Sequence, residues 1–202
     1  GCKRNGCSLI GGETAEMPGL YNQNDYDAAG TIIGVVERSK IIDRKNVKKG
    51  DVLIGLPSNG LHTNGYSLAR KVLLKKYPLS KFVPVIRTTL GNELLKVHRS
   101  YLNVIRSVNA KYKVHSISHI TGGGLIGNTK RVVPKNLKIS IDWNAWKPNP
   151  IFSLIQNTGR ISDREMRKVF NMGIGLVIIV SKKDSQKVSE YLKRIKEKYY
   201  LI

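Results

Sequence analysis

The sequence predicts an α+β fold in which a mixed sheet is covered by helices. Short apolar runs such as Val52 to Leu56 and Leu176 to Val180 have the length and composition of buried strands. They alternate loosely with segments whose apolar residues recur at helical spacing, as do Leu68, Val72 and Leu73. A third stretch, Leu137, Ile139 and Ile141, alternates apolar with polar residues and is expected to be a strand with one wet face. With 41% apolar and 24% charged residues in 202 positions, the chain has material for a real core in one or two domains.

In chain order, the segment from Gly1 to Ile42 offers two expected strands, Cys7 to Ile10 and Thr31 to Glu37, around a long polar loop. Two strands are too few for an independent core, so the segment reads as the tail of a domain whose front half is absent, in a piece of a longer protein. The polar, aperiodic stretch Asp43 to Gly50 is the expected boundary. It gives an incomplete first domain over 1–42 and a carboxyl-terminal α/β domain over 43–202.

Within the second domain, Val52 to Leu56 feeds a Gly/Asn/His loop that runs into a helix through Leu73; the loop is either a ligand site or an ordinary turn with Asn64 as N-cap. After a connection bearing Pro78 and Pro84, Asn92 is expected to cap one long helix with Leu94, Val97, Tyr101, Ile105 and Val108 on its buried face. Val114 to Ile120 is a strand that enters the glycine turn Gly122 to Gly124. Asn149 and Pro150 open a helix through Gln156, closed by Gly159, and Ser162 with Glu165 forms a capping box for another up to Phe170. The strand Leu176 to Val180 and a helix carrying Val188, Tyr191, Leu192 and Ile195 follow. Tyr199 to Ile202 reads as the start of a last strand whose remainder is missing.

The formal charge of +21 invites a nucleic-acid reading. The basic residues are spread along the chain, however, with small knots only at Lys48-Lys49, Lys75-Lys76 and Lys193 to Lys198, and no stacking aromatics lie between them. A solvated basic surface that steers small polyanions is therefore favoured over a specific nucleic-acid face. No apolar run approaches eighteen residues, so no transmembrane helix and no membrane partner is expected, and the expected compartment is cytoplasmic. Cys2 and Cys7 have no further ligands nearby to complete a zinc site.

Four glycine-rich polar loops adjoin predicted strands: Gly11 to Tyr21, Gly55 to Ser67, His119 to Gly127 and Phe170 to Gly175. Glycine lets backbone approach a ligand closely, and a loop feeding a helix N-terminus suits an anion, so together the loops point to a shared cleft. Glu13 and Glu16 are either a Mg²⁺-holding pair beside nucleotide phosphates or a solvated pair in a turn. His62 and His119 sit among glycine, asparagine and threonine, where an imidazole can exchange protons near neutral pH. His98, placed on the long helix, and His115, in a strand, read as structural. The nucleophile elbow, the zinc-protease helix and the Walker pattern are all absent.

GGETAEMPGLY (Gly11 to Tyr21), DYDAAG (Asp25 to Gly30), GVVER (Gly34 to Arg38), SNGLHTNGYSLAR (Ser58 to Arg70), HITGGGLIGNTKRVVP (His119 to Pro134) and EMRKVFNMGIG (Glu165 to Gly175) recur in order along nearly the whole chain. They closely resemble the phosphoribosylformylglycinamidine cyclo-ligase family, the aminoimidazole ribonucleotide synthetases of purine biosynthesis. The resemblance implies a homodimer of two-domain subunits whose ATP site is built largely by the amino-terminal domain, joined to the carboxyl-terminal domain of that superfamily. It implies ATP-dependent, Mg²⁺-assisted closure of formylglycinamidine ribonucleotide to aminoimidazole ribonucleotide, ADP and phosphate, phosphorylation turning a poor amide leaving group into a good one. On the same basis His119 and His62 are the expected catalytic residues. Gly60, Asn64, Gly65, Thr121, Gly122, Gly123, Gly124 and Asn171 are expected to grip the ribonucleotide. Gly11, Gly12 and Glu13 are expected to approach ATP, with Glu13 near the metal.

Three departures accompany the match. The family's Asp-Gly-Val-Gly-Thr-Lys segment would lie upstream of Gly1, Val97 and His98 stand where relatives have Pro-Thr ahead of Arg99, and Gly127 stands where relatives tend to have Glu. Three other readings stay open at the level of sequence: a piece that folds and binds without turning over, a small-molecule kinase of the same superfamily, against which GGETAEMPG argues, and a nucleic-acid binder.

Overall fold

In the computed structural model, which describes residues 1–202, the apolar runs find strand partners only beyond Ile41. The chain divides into two units, Gly1–Ile41 and Ile42–Ile202. The first holds a four-residue helix α1 (Cys2–Asn5), an isolated bridge between Pro18 and Tyr21, and a 3-10 turn at Arg38–Lys40. The strands expected at Cys7 to Ile10 and Thr31 to Glu37 do not form. Leu9, Ile10, Ile32, Ile33 and Val35 are all exposed, because β-propensity becomes a strand only where a neighbour completes the ladder, and this unit supplies none.

The second unit carries strands β1 (Val52–Pro57), β2 (Phe82–Val83), β3 (Thr88–Thr89), β4 (Val114–His119), β5 (Ile174–Val180) and β6 (Tyr200–Leu201). Its helices are α2 (Tyr66–Leu73), α3 (Leu90–Leu94), α4 (Leu102–Asn109), α5 (Gly124–Arg131), α6 (Pro150–Gly159), α7 (Asp163–Val169) and α8 (Lys182–Arg194). The main sheet has the order β4-β5-β1-β6, and β2 pairs with β3 alone. The α+β class stands. Every pairing is antiparallel, where a mixed sheet was expected. β1 and β4 therefore run side by side in the same sense without touching, separated by the reversed β5.

Each residue of β5 is buried. Its Leu176, Ile178 and Val180 face a cluster with Ile54 and Leu56 of β1, Val104 and Val108 of α4, and Val188 and Leu192 of α8. Val177 and Ile179 face the opposite cluster, with Ile120, Leu125, Val133 and Trp146. A third core, built from Leu61, Ala69, Leu73, Leu90, Ile151, Phe152, Ile155, Met166 and Phe170, joins the helices. The expected Ser162 cap holds, its hydroxyl accepting from the Glu165 N–H; α6 starts after Asn149 with Pro150 in its first turn, but the Asn149 side chain makes no cap bond and Arg160, not Gly159, is the left-handed residue that closes the helix.

Two expected elements are absent. Leu137, Ile139 and Ile141 alternate in burial as anticipated, but they pack against the cluster of Val177 and Ile179 as irregular chain, with no ladder. The expected long helix is two: Thr89, not Asn92, caps α3, which ends at Leu94, and α4 begins only at Leu102. Tertiary bonds break it. Asn59 Nδ2 donates to the Val97 carbonyl at 2.8 Å, Arg99 Nη1 and the Tyr101 hydroxyl donate to the Pro57 carbonyl at 3.0 and 2.8 Å, and Leu95 and Val97 are left exposed. No helix is long and apolar enough to cross a membrane.

Ile178 is fully buried at the centre of the sheet. Its truncation in Ile178→Ala is expected to cost about 2–5 kcal/mol, read as a lowered urea midpoint of this chain.

Candidate functional site

Because β1 and β4 point the same way and β5 the other, the ends of β1 and β4 and the start of β5 lie at one edge of the sheet. The register puts Pro57 opposite Ile174 and His119 opposite Leu176. Three loops leave from there: Ser58 to Gly65, Ile120 to Gly123, and Phe170 to Gly173. Sequence alone places them far apart.

Side-chain amides tie the loops together. Asn171, 1% exposed, donates through Nδ2 to the Gly60 carbonyl at 2.9 Å, and its Oδ1 accepts from the Ser58 hydroxyl at 2.9 Å and the Gly173 N–H at 2.8 Å. Asn64 donates to the His62 carbonyl at 2.6 Å, while its Oδ1 accepts the Gly122 N–H at 3.0 Å. It thus bridges two loops instead of capping α2; that cap falls to Gly65 at φ +75°, where a Cβ would lie 2.3 Å from the Phe170 ring. Asn128 closes the glycine turn. Its Nδ2 donates to the carbonyls of Thr121 and Gly124 at 3.0 and 2.8 Å, and its Oδ1 accepts from the Thr121 hydroxyl at 2.9 Å.

The backbone at this edge is strained. His62, Thr63 and Met172 all adopt left-handed φ values, +52°, +59° and +50°. Such conformations cost on the order of 1–2 kcal/mol each for non-glycine residues and gather at functional sites. The hydrogen bonds of Asn64 and of the Thr63 hydroxyl to the His62 carbonyl hold the first two in place.

Three imidazoles meet here. His62, only 3% exposed, stacks on His98 with ring centroids 3.9 Å apart, and His98 Nε2 lies 3.3 Å from His119 Nε2. Asn59, oriented by its bond to Val97, places Oδ1 2.6 Å from His62 Nε2. His62 Nδ1 is buried without a partner. Burial, then the fields of His98, His119 and Arg99, push the His62 imidazole down to about 3. Burial and then His119 lower His98, and burial lowers His119. At neutral pH the cluster is uncharged, and each ring can donate from one nitrogen and accept at the other.

Of the residues singled out in the sequence, His62, Gly60, Asn64, Gly65, Asn171, His119 and Thr121 to Gly124 come together at this edge. Gly11, Gly12 and Glu13 lie in the Gly1–Ile41 unit, where all three are exposed and a Cβ at either glycine would meet nothing within 4 Å. No group of three His, Cys, Asp or Glu side chains is placed to hold a metal ion, so the residues present do not amount to a Mg²⁺ centre. Sequence reasoning missed His98, Asn59 and Asn128. His98 was assigned to a helix face, and its only signal was its departure from the Pro-Thr usual before Arg99. His115 is paired with Asp51 at 2.7 Å, a structural contact at the opposite end of β4.

Residues 48–202 match the family described as AIR synthase related protein, C-terminal domain. The whole chain is similar to proteins named phosphoribosylformylglycinamidine cyclo-ligase: that of Thermodesulfovibrio yellowstonii, 48% identical over 204 residues, that of Bacillus cytotoxicus, 47% identical, and that of Brevibacillus brevis, 48% identical. In each, all of this chain is matched, and it spans 60%, 59% and 59% of the relative's length.

Gly124 opens α5 at φ +69°, and a Cβ there would lie 1.9 Å from the Arg167 carbonyl oxygen. Gly124→Ala is expected to destabilise the chain by about 3 kcal/mol, seen in urea unfolding. Because His62 binds a proton only near pH 3 when folded, against 6.5 for the free side chain, the unfolded state holds more protons throughout that window. Stability from this group is therefore complete above about pH 6.5 and falls as pH is lowered towards 3. Urea midpoints measured at descending pH should drop, and the drop should be shallower in His62→Gln.

Proposed function

Because this chain belongs to the AIR synthase related protein family, matching its C-terminal domain, we propose that it supplies the ribonucleotide-binding half of a phosphoribosylformylglycinamidine cyclo-ligase. The reaction is the ATP-dependent closure of formylglycinamidine ribonucleotide to aminoimidazole ribonucleotide. The observation that carries this reading is the Asn64–Gly122 bond, which joins the SNGLHTNG loop to the HITGGG loop in one surface. Names of relatives that match the whole chain support the choice of reaction.

Gly122 and Gly123 are exposed beside the N-terminus of α5, where backbone donors and the helix dipole favour an anion such as a ribonucleotide phosphate. Gly60, Gly65, Thr121, Gly124 and Asn171 shape that surface. His119, exposed at the end of β4, is the imidazole placed to touch substrate, and His62 acts behind it. For ring closure the substrate's own nitrogen must be held against the formyl carbon, so positioning and charge stabilisation are what these loops contribute. Gly11, Gly12 and Glu13 are proposed to approach ATP. Glu13 offers at most one carboxylate to Mg²⁺, an ion that takes most of its ligands from phosphates and water. The reading includes a homodimer through the amino-terminal domain.

Calorimetric titration of this chain with formylglycinamidine ribonucleotide should show saturable binding. Asn64→Ala, which removes the bond that joins the two loops, should weaken it roughly fivefold to tenfold, about 1 kcal/mol. No heat of binding with the unaltered chain would sink the reading. Adding ATP and Mg²⁺ and assaying for aminoimidazole ribonucleotide separates turnover from binding alone.

A further inference from the structure

The contact between His98 and His119 joins a segment that other bonds already anchor to the end of β4. His98 is carried on the irregular Leu95–Tyr101 segment, fixed on either side by the Asn59 bond to Val97 and by Arg99, which bonds Pro57 and is ion-paired with Glu197. Its ring lies between two others, stacked on His62 at 3.9 Å and tilted 44° to His119 with centroids 5.2 Å apart. A stacked arrangement does not aim three nitrogens at one point, so the cluster is unlike a metal centre, in keeping with the absence of any metal-holding group. No carboxylate is within ion-pair distance of the three rings; the only histidine in such a pair is His115. The charged group that bears on His62 is Arg99, itself ion-paired with Glu197, and the Tyr101 ring stands 6.0 Å from His62.

Two imidazole Nε2 atoms 3.3 Å apart can form a hydrogen bond only if one carries hydrogen and the other presents a lone pair. We propose that His98 is a positioning residue which forms, with His119, a two-imidazole proton relay at the exposed edge of the loop cluster, with His62 as the stacked ring that holds it in place. A proton taken up at Nδ1 of His98 sends the Nε2 hydrogen across to Nε2 of His119, whose Nδ1 hydrogen then leaves. Each ring ends neutral with its tautomer exchanged, and the net change is one proton moved from one side of the pair to the other. The use of the relay, to give or take a proton at a bound ribonucleotide, rests on the function proposed above. The relay itself does not.

The test is a pH titration of this chain labelled with ¹⁵N-histidine, read in ¹H–¹⁵N spectra without substrate from about pH 8 to about pH 4, a range spanning the ordinary imidazole value. In the unaltered chain the ring nitrogens of His98 and His119 should move together at a shared first midpoint, with a second step at lower pH. In His98→Phe, which keeps a ring against His62 but loses the nitrogen, His119 should titrate in one step. In His119→Phe the same loss of the second step should appear at His98, so either variant suffices if the other fails to fold. A His119 curve unchanged by His98→Phe, or a His98 curve unchanged by His119→Phe, would overturn the relay. Absence of ribonucleotide binding would leave this result standing, and independent one-step curves would leave ribonucleotide binding standing.

Discussion

The antiparallel pairing of β5 between β1 and β4 is the constraint on which the molecule depends. It buries all seven residues of β5 and, by reversing the middle strand, brings two strand ends and one strand start to a single edge. Hydrophobic burial on both faces fixes the register, since a slip of one residue would turn Leu176, Ile178 and Val180 towards the wrong core. That register is what sets Pro57 against Ile174 and His119 against Leu176. The loops do not find each other; the sheet delivers them.

Once delivered, they are held by side-chain amides. Asn171 and Asn64 each join backbone groups of separate turns and Asn128 closes the glycine turn, so the loops keep left-handed residues at His62, Thr63 and Met172 that free loops would relax. The same burial that makes these amides worth having also keeps the imidazoles neutral, because the charged form of a ring loses more solvation than its few polar neighbours return. The result is an edge with hydrogen-bond donors and acceptors but little fixed charge, beside a helix N-terminus and inside a strongly basic chain. Such an edge has the field and the hydrogen-bonding groups that suit the anion binding proposed for it.

Elements with their own local signal were legible. The continuous apolar runs gave β1 and β5, the Ser162 capping box gave α7, and Pro150 with Gly159 bounded α6. The motif-bearing loops pointed to most of the residues that gather at the edge. What failed were the segments whose local preference met a stronger tertiary claim. Helical spacing from Leu94 to Val108 is real, yet the Pro57 and Asn59 bonds to Arg99, Tyr101 and Val97 pull the chain out of the helix. Alternation at Leu137 to Ile141 is real, yet no strand stands beside it.

By itself, then, the sequence determined the α+β class, the family to which the chain belongs and three polar loops that gather at one edge, because these rest on period, composition and motif, each readable within a short window. Only the tertiary structure decided that the strands are all antiparallel, that Asn64 bridges rather than caps, and that His98 leaves a helix face to lie between His62 and His119. Those outcomes depend on contacts between residues far apart in the chain, and no local pattern encodes the free energy of a hydrogen bond to a partner dozens of positions away.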